Sequence, residues 1–262
     1  MSLVLMYNLM AEKQASDLFF SVGSPITIKI NGVCVPINQD RLAPQAIVSL
    51  LAERLTDAHF RELEDSRELN IGLPVQGIGS FRLSAFLQRG SISAVIRFIP
   101  HDVPKLDALH LPEVLKDLIM ERRGMILVVG AAGSGKSTTI ASMLDHRNEL
   151  STGHVLTFED PIEYLFRNKK SIINQREIGS DARTLQAALR SAMRQAPDVI
   201  FIGEIRDRDT MSAAIAYSMS GHLVVATLHA TNSSHALNRV ISFYPPETRQ
   251  ALFQDMSVAM KA

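Results

Sequence analysis

Apolar residues follow two different patterns along the chain. Before residue 100 they alternate or recur at helical spacing; after Gly124 they gather into short continuous runs separated by helical stretches. In the first part, Leu5, Met6, Leu9 and Met10 fit one face of a short helix. Ile26, Ile28 and Ile30 alternate with polar residues, Asn31-Gly32 follows, and Val33 and Val35 resume the alternation. An Asn-Gly pair between such runs predicts a hairpin, because both central turn residues need positive φ. Pro44 opens a helix carrying Ile47, Leu50, Leu51 and Leu55. Phe81, Leu83, Ala85 and Leu87 share one face of a strand, residues 88–91 turn, and residues 93–99 return. Residues 1–99 are therefore read as an α+β domain.

Residues 100–112 contain three prolines and read as a linker, with Pro112 starting a helix to Glu121. Beyond it, the runs 125–129, 155–158, 199–202 and 223–227 suit strands buried on both faces. Between them, Leu185, Ala188, Leu189, Ala192 and Met193 step along one side of a helix. Alternating strand and helix predicts an α/β domain with a largely parallel sheet over residues 113–262. The last residues, Met260-Lys261-Ala262, fall in a stretch that reads as helix without a cap, which suggests a domain interrupted rather than completed.

Composition narrows the class. A chain of 262 residues has room for two domains. Lys+Arg and Asp+Glu are each 27, and zero net charge disfavours a dedicated nucleic-acid binder. Cys34 is the single cysteine, which excludes an intrachain disulfide or a four-cysteine zinc site and points to a reducing compartment. The start has no positive charge ahead of its apolar part, so it does not read as a signal peptide. No uncharged apolar run nears the ~20 residues that span a bilayer. The expectation is a cytoplasmic protein without direct membrane insertion, reaching a membrane only through partners.

Chemistry concentrates after the first buried run. Gly130-Ala131-Ala132-Gly133-Ser134-Gly135-Lys136-Ser137 satisfies G-x-x-x-x-G-K-[ST] between a strand and a helix, with Thr138 next. The glycines let successive backbone N–H groups face an anion, and the helix start adds partial positive charge. Lys136 suits the β- and γ-phosphates and the Ser137 hydroxyl suits magnesium, which predicts ATP and Mg2+ as ligands. The run 198–204 ends in Glu204, and in a parallel sheet that end lies beside the loop, where a carboxylate orients water. Gly203 stands where many such enzymes carry a metal-binding Asp. Glu159, Asp160 and Glu163 follow another apolar strand, and carboxylates so close together call for a cation or basic groups among them; Glu159 is the candidate for magnesium alongside Ser137 and Glu204. His222 and His229 bracket the strand 223–227, and His229 at its far end could sense a γ-phosphate.

Taken together these residues resemble the type II/IV secretion ATPase superfamily, and within it the type IV pilus retraction ATPases, the PilT/PilU family, on the PilU side. The resemblance rests on the phosphate loop, TFEDPIE from Thr157, INQREIG from Ile173, RQAPDVIFIGEIRD from Arg194, Gly221-His222-Leu223 and Thr227-Leu228-His229, with Phe81-Arg82 and Arg97 upstream. It implies a PAS-like N-terminal domain, a RecA-like P-loop domain and a homohexameric ring. It further implies a membrane platform protein of the pilus and a paralogous retraction ATPase as partners. Arg82 and Arg97 are its candidates for reaching the phosphates, with Arg176, Arg206 and Arg239 behind them. The chain ends before the family's C-terminal helical segment, which is associated with retraction. The competing readings are a RecA-like nucleic-acid translocase, disfavoured by the charge balance, and a non-hydrolysing nucleotide-binding accessory subunit, disfavoured by Glu204 and its neighbours.

Overall fold

The computed structural model describes every residue except Met1, Pro100, His101, Asp102 and Ala132. The chain divides into two compact units, Met1–His101 and Asp102–Ala262.

The first unit runs α1 (Leu3–Lys13), β1 (Asp17–Phe20), β2 (Thr27–Ile30), β3 (Val33–Pro36), α2 (Pro44–Leu51), α3 (Asp57–Ser66), β4 (Glu68–Val75), β5 (Gly79–Gln88) and β6 (Ser91–Ile99). Its strands form an antiparallel sheet in the order β3-β2-β1-β6-β5-β4. The alternation read along β5 holds: Phe81, Leu83 and Ala85 are buried against Leu18, Ile96, Ile47 and Leu51. Helix α1 covers this face through Leu3, Met6, Tyr7 and Met10. Leu5, read as part of the buried stripe, is exposed instead. The stripe is shifted because Tyr7 stacks on Phe81, ring centroids 4.2 Å apart, and a large aromatic outweighs an aliphatic residue in setting the face.

The second unit runs α4 (Val114–Met120), β7 (Gly124–Val129), α5 (Lys136–Leu150), β8 (Gly153–Glu159), β9 (Ser171–Glu177), α6 (Leu185–Ala192), β10 (Val199–Ile202), α7 (Arg208–Met219), β11 (Leu223–Leu228), α8 (Ser233–Ser242) and α9 (Arg249–Ala259). Its sheet is parallel, in the order β7-β11-β10-β8-β9. Every residue of β10 and β11 is buried, as strands covered on both faces must be. One face packs on α6, α7 and α9 through Leu156, Ile200, Ile202 and Val224; the other packs on α5 through Val155, Val199, Phe201 and Val225.

Two readings of the sequence are corrected here, and a third, the linker, is described only in part. The linker 100–112 lies partly outside the described residues, and its remainder is packed: Leu106 is buried with Ile119, Ile140 and Met143 in the second unit. Met193 leaves the helical stripe because α6 ends at Ala192 and tightens into a 3-10 turn, which exposes it. The C-terminal helix stops at Ala259. Met260 turns extended, Lys261 N donates to the Met125 carbonyl (2.8 Å), and Leu127 N donates to the Ala262 carbonyl (2.9 Å). The unsatisfied edge of β7 thus competes with helix propensity for the last three residues.

Candidate functional site

A parallel sheet puts the C-terminal ends of its strands on one edge, and here four of those ends carry the predicted chemistry. β7 leads into the glycine loop, β8 ends in Glu159, β10 is followed by Gly203 and Glu204, and β11 by His229. A cavity of about 760 Å³ opens along this edge, bordered by Lys136, Ser137, Glu159, Glu163, Glu204 and His229.

The loop reaches its shape through Gly133 (φ 73°) and Gly135 (φ 90°), conformations that only glycine adopts without strain. Gly135 caps α5, so Lys136, Ser137 and Thr138 form that helix's first turn, whose N–H groups have no partner within the helix, and all three border the cavity. The Lys136 ammonium folds back onto the carbonyls of Gly130 (3.0 Å) and Ala131 (2.7 Å). Ser134 turns its hydroxyl toward Gly130, leaving no space there for a Cβ. Ala132 lies outside the described residues.

Glu204 is fixed on both oxygens. Arg206 Nε donates to Oε2 (2.7 Å) and His229 Nε2 lies 3.4 Å from Oε1. The backbone beneath is pinned from two strands: Gly203 N donates to Phe158 O (2.7 Å), Ile205 N to Thr227 O (2.9 Å), and the Thr227 hydroxyl to Gly203 O. A Cβ on residue 203 would meet Phe158 O at 3.1 Å and Glu159 Cα at 3.2 Å, so β8 would have to give by a few tenths of an ångström to admit a side chain there.

Glu159 is buried and accepts from Thr157 Oγ1 (2.6 Å) and Gln175 Nε2 (3.0 Å). Burial raises its carboxyl to about 7, against the lowering effect of the Thr157 and Gln175 hydrogen bonds and the Glu163 backbone N–H. Asp160 is half exposed and faces Arg206 (3.4 Å). Glu163 is exposed, borders the cavity, and among the described residues its carboxylate has no ion-pair partner.

Several predicted site residues are not brought together. His222 sits at the opposite end of β11, roughly 20 Å from His229 at about 3.3 Å per residue, with Nδ1 against the Tyr217 carbonyl (3.2 Å) at the end of α7. It does not border the cavity; a strand of six residues separates the two histidines that the sequence reading grouped. Arg82 and Arg97 belong to the first unit, directly opposite each other in the β5–β6 register, and Arg97 Nε is held by Asp17 (2.8 Å). Arg176 donates to the Asp181 carbonyl and Arg239 packs over Phe243.

The cavity edge also holds residues that the sequence reading passed over. Tyr164 meets Thr138 hydroxyl to hydroxyl (3.0 Å). Asp207 caps α7 through Thr210 N (2.8 Å) and receives Gln186 (3.2 Å). Arg206, read only as a secondary phosphate arginine, is instead the partner of Glu204 and Asp160. Its position two residues past a strand-end glutamate was the available signal.

The donor set also bears on magnesium. No group of three His, Cys, Asp or Glu side chains among the described residues is placed to hold a metal ion by itself. One serine hydroxyl in the first helical turn, with carboxylates across the cavity, fits instead a magnesium ion that arrives with phosphate oxygens as most of its ligands.

Comparison with known proteins agrees with this geometry. The family described as "Type II/IV secretion system protein" matches residues 5–249. The chain is similar to the type IV pilus ATPase PilU of Pseudomonas aeruginosa, 42% identical over 255 residues that cover 97% of this chain and 67% of that protein. It is also similar to the type IV pilus retraction ATPase PilT of the same organism, at 37% over 252 residues, 96% of this chain and 73% of that one. Among solved structures, the pilus retraction motor PilT with bound ADP superimposes with a TM-score of 0.94 at 37% identity, covering 99% of this chain and 76% of that one. The chain belongs to the type II/IV secretion system protein family.

Proposed function

We propose that this chain is an ATP-hydrolysing motor subunit of the type IV pilus machinery, acting in pilus retraction. The observation that carries the reading is the convergence of the glycine loop, Lys136, Glu204 and Glu163 on one cavity at one edge of a parallel sheet. The relatives support it: a pilus ATPase at 42% identity, and a retraction motor whose structure contains ADP.

In this reading the loop N–H groups and the first turn of α5 hold the β- and γ-phosphates, and the Lys136 ammonium turns from the Gly130 and Ala131 carbonyls to the phosphate oxygens. Ser137 would hold magnesium, with Glu204 and Glu159 contributing through water. The bound metal supplies neutralisation of phosphate charge and positions the γ-phosphate. Glu204, oriented by Arg206 and His229, aligns a water molecule. Glu163, with its carboxylate open to the cavity, takes the proton as the water oxygen bonds to γ-phosphorus and the bridge to the β-phosphate breaks. Arg82 would supply charge to the phosphates of a neighbouring copy in a homohexamer. A membrane platform protein and a paralogous ATPase are the partners this role requires. No helix of the described residues is long and apolar enough to cross a membrane, which fits attachment through such partners.

The test is a retraction assay in cells lacking this gene, complemented with the wild-type sequence or with Lys136→Ala. Restored retraction with the wild-type sequence and none with the variant is expected. Full restoration by Lys136→Ala would remove ATP hydrolysis by this chain from the account.

A further inference from the structure

The segment INQREIG has so far entered only through the Gln175 hydrogen bond to Glu159, and its strand β9 leads into Ile178 at the cavity edge. Residues 161–166 link the end of β8 to the rest of the fold and carry Glu163. Among the described residues they make no backbone-to-backbone hydrogen bond. Side chains of β9 hold them instead. Glu177 Oε2 accepts from Ile162 N (3.0 Å), Gln175 Nε2 donates to Tyr164 O (2.8 Å), and Gln175 Oε1 accepts from Phe166 N (2.9 Å). Gln175 and Glu177 are two residues apart on one strand and so project to the same side. They grip every second residue of the segment, which leaves the intervening Glu163 facing the cavity.

Three of the four hydrogen-bonding positions of the Gln175 amide are used, both N–H donors among them. Its nitrogen also donates to Glu159 Oε1 (3.0 Å), and the Phe166 N–H fixes which end is oxygen. A third hold comes from the other direction, where the Tyr164 hydroxyl meets Thr138 in the first turn of α5 (3.0 Å).

We propose that Gln175, Glu177 and Tyr164 form a side-chain cradle that sets the reach of Glu163 into the phosphate cavity and ties it to the helix following the glycine loop. They are positioning residues. The cradle rests on the hydrolytic reading of that cavity, in which Glu163 takes the proton from water. Misplacing a reacting group by about 1 Å can cost on the order of 100-fold in rate, and the three backbone grips on 161–166 fix that distance together with the Glu163 N–H, which turns toward Glu159.

The experiment compares Gln175→Met, Tyr164→Phe, Glu163→Gln and the double variant Gln175→Met/Glu163→Gln. It measures magnesium-dependent ATP hydrolysis, equilibrium binding of a fluorescent ADP analogue, and thermal melting to confirm folding. Gln175→Met is expected to lower kcat about 10- to 100-fold, with KM and ADP affinity held within about twofold, since the phosphate contacts are untouched. The double variant should be little slower than Glu163→Gln alone, because the cradle acts chiefly through that carboxylate; the small remainder reports the Gln175 hydrogen bond to Glu159. Tyr164→Phe should lower kcat less, in the same direction. Loss of one partly buried hydroxyl leaves the fold intact, so this variant carries the test even where Gln175→Met melts too low. Wild-type kcat in the cradle variants, or additive losses in the double variant, overturns the cradle while the hydrolytic reading stands. Wild-type hydrolysis by Glu163→Gln overturns the role of Glu163, and the cradle with it.

Discussion

Arg206 Nε donates to Glu204 Oε2 across 2.7 Å, and Nη1 of the same guanidinium reaches Asp160 Oδ2 at 3.4 Å. One cation therefore ties the ends of two neighbouring parallel strands, β10 and β8, at the mouth of the cavity. The hydrogen bond to Glu204 is the main reason the Arg206 guanidinium holds its proton more tightly than usual. Because Arg206 is largely exposed, Arg206→Ala should change folding stability by less than about 1 kcal/mol. It frees the Glu204 carboxylate to rotate, however, and kcat should fall about tenfold. Arg206→Lys keeps the charge and loses the planar fork, so it should rescue only part of the rate. Denaturant melts and steady-state rates of the two variants check this.

Glu159 gives the protein a distinct pH response. Its carboxyl is raised by burial to about 7 from an ordinary 4.5. The folded state therefore keeps a proton that the unfolded chain releases. The stabilisation is complete below pH 4.5, declines as pH rises, and is gone above about 7. In Glu159→Gln the amide oxygen still accepts from Thr157 and Gln175, and the titration is removed. Melting temperatures measured with a chelator and without nucleotide should show the variant more stable than wild type at pH 8, and the advantage should disappear at pH 4.5.

The two arginines facing each other in the first unit separate by their partners. Asp17 is buried and its ion pair is with Arg97. Arg97→Ala leaves that carboxylate without its cation and should destabilise the first unit by about 1–3 kcal/mol. Arg82 has no ion pair among the described residues, so Arg82→Ala should leave melting unchanged and lower hydrolysis only under conditions where subunits assemble. Parallel melting and concentration-dependent rate measurements distinguish the two.

His222 and His229 part in the same way. His229→Ala removes a partner of Glu204 and should reduce kcat, whereas His222→Ala, at the far end of β11, should leave nucleotide affinity unchanged. Steady-state hydrolysis rates, beside titration of a fluorescent nucleotide, decide the point for both variants.

The glycine loop and four of the buried strands were legible because their signals are local. A phosphate loop needs particular residue types at fixed spacing, and a strand covered on both faces reads as an unbroken apolar run. β9 was not legible. Ile172 is exposed, and Gln175 and Glu177 face the 161–166 segment as hydrogen-bonding side chains, so the edge strand shows no apolar period. α3 escaped for a similar reason: its one buried residue is Leu63, and its capping box uses His59 where Glu or Gln is usual. β4 carries Gly72 and Pro74, both weak strand formers. The pairing of Arg206 with Glu204 is hinted at by their spacing of two residues, but it also depends on how the chain turns after β10. The two histidines were grouped because they bracket one strand, although the parallel-sheet rule already puts only the His229 end beside the loop.

The central claim is that Glu204 acts on a phosphate held by the loop. The most direct measurement is magnesium-dependent phosphate release by Glu204→Gln beside its equilibrium affinity for ATP. The account predicts affinity within about threefold of wild type and phosphate release lowered at least about 100-fold, the scale reached when a group acting in the transition state is removed. Phosphate release at the wild-type rate, with ATP bound equally well, would contradict it.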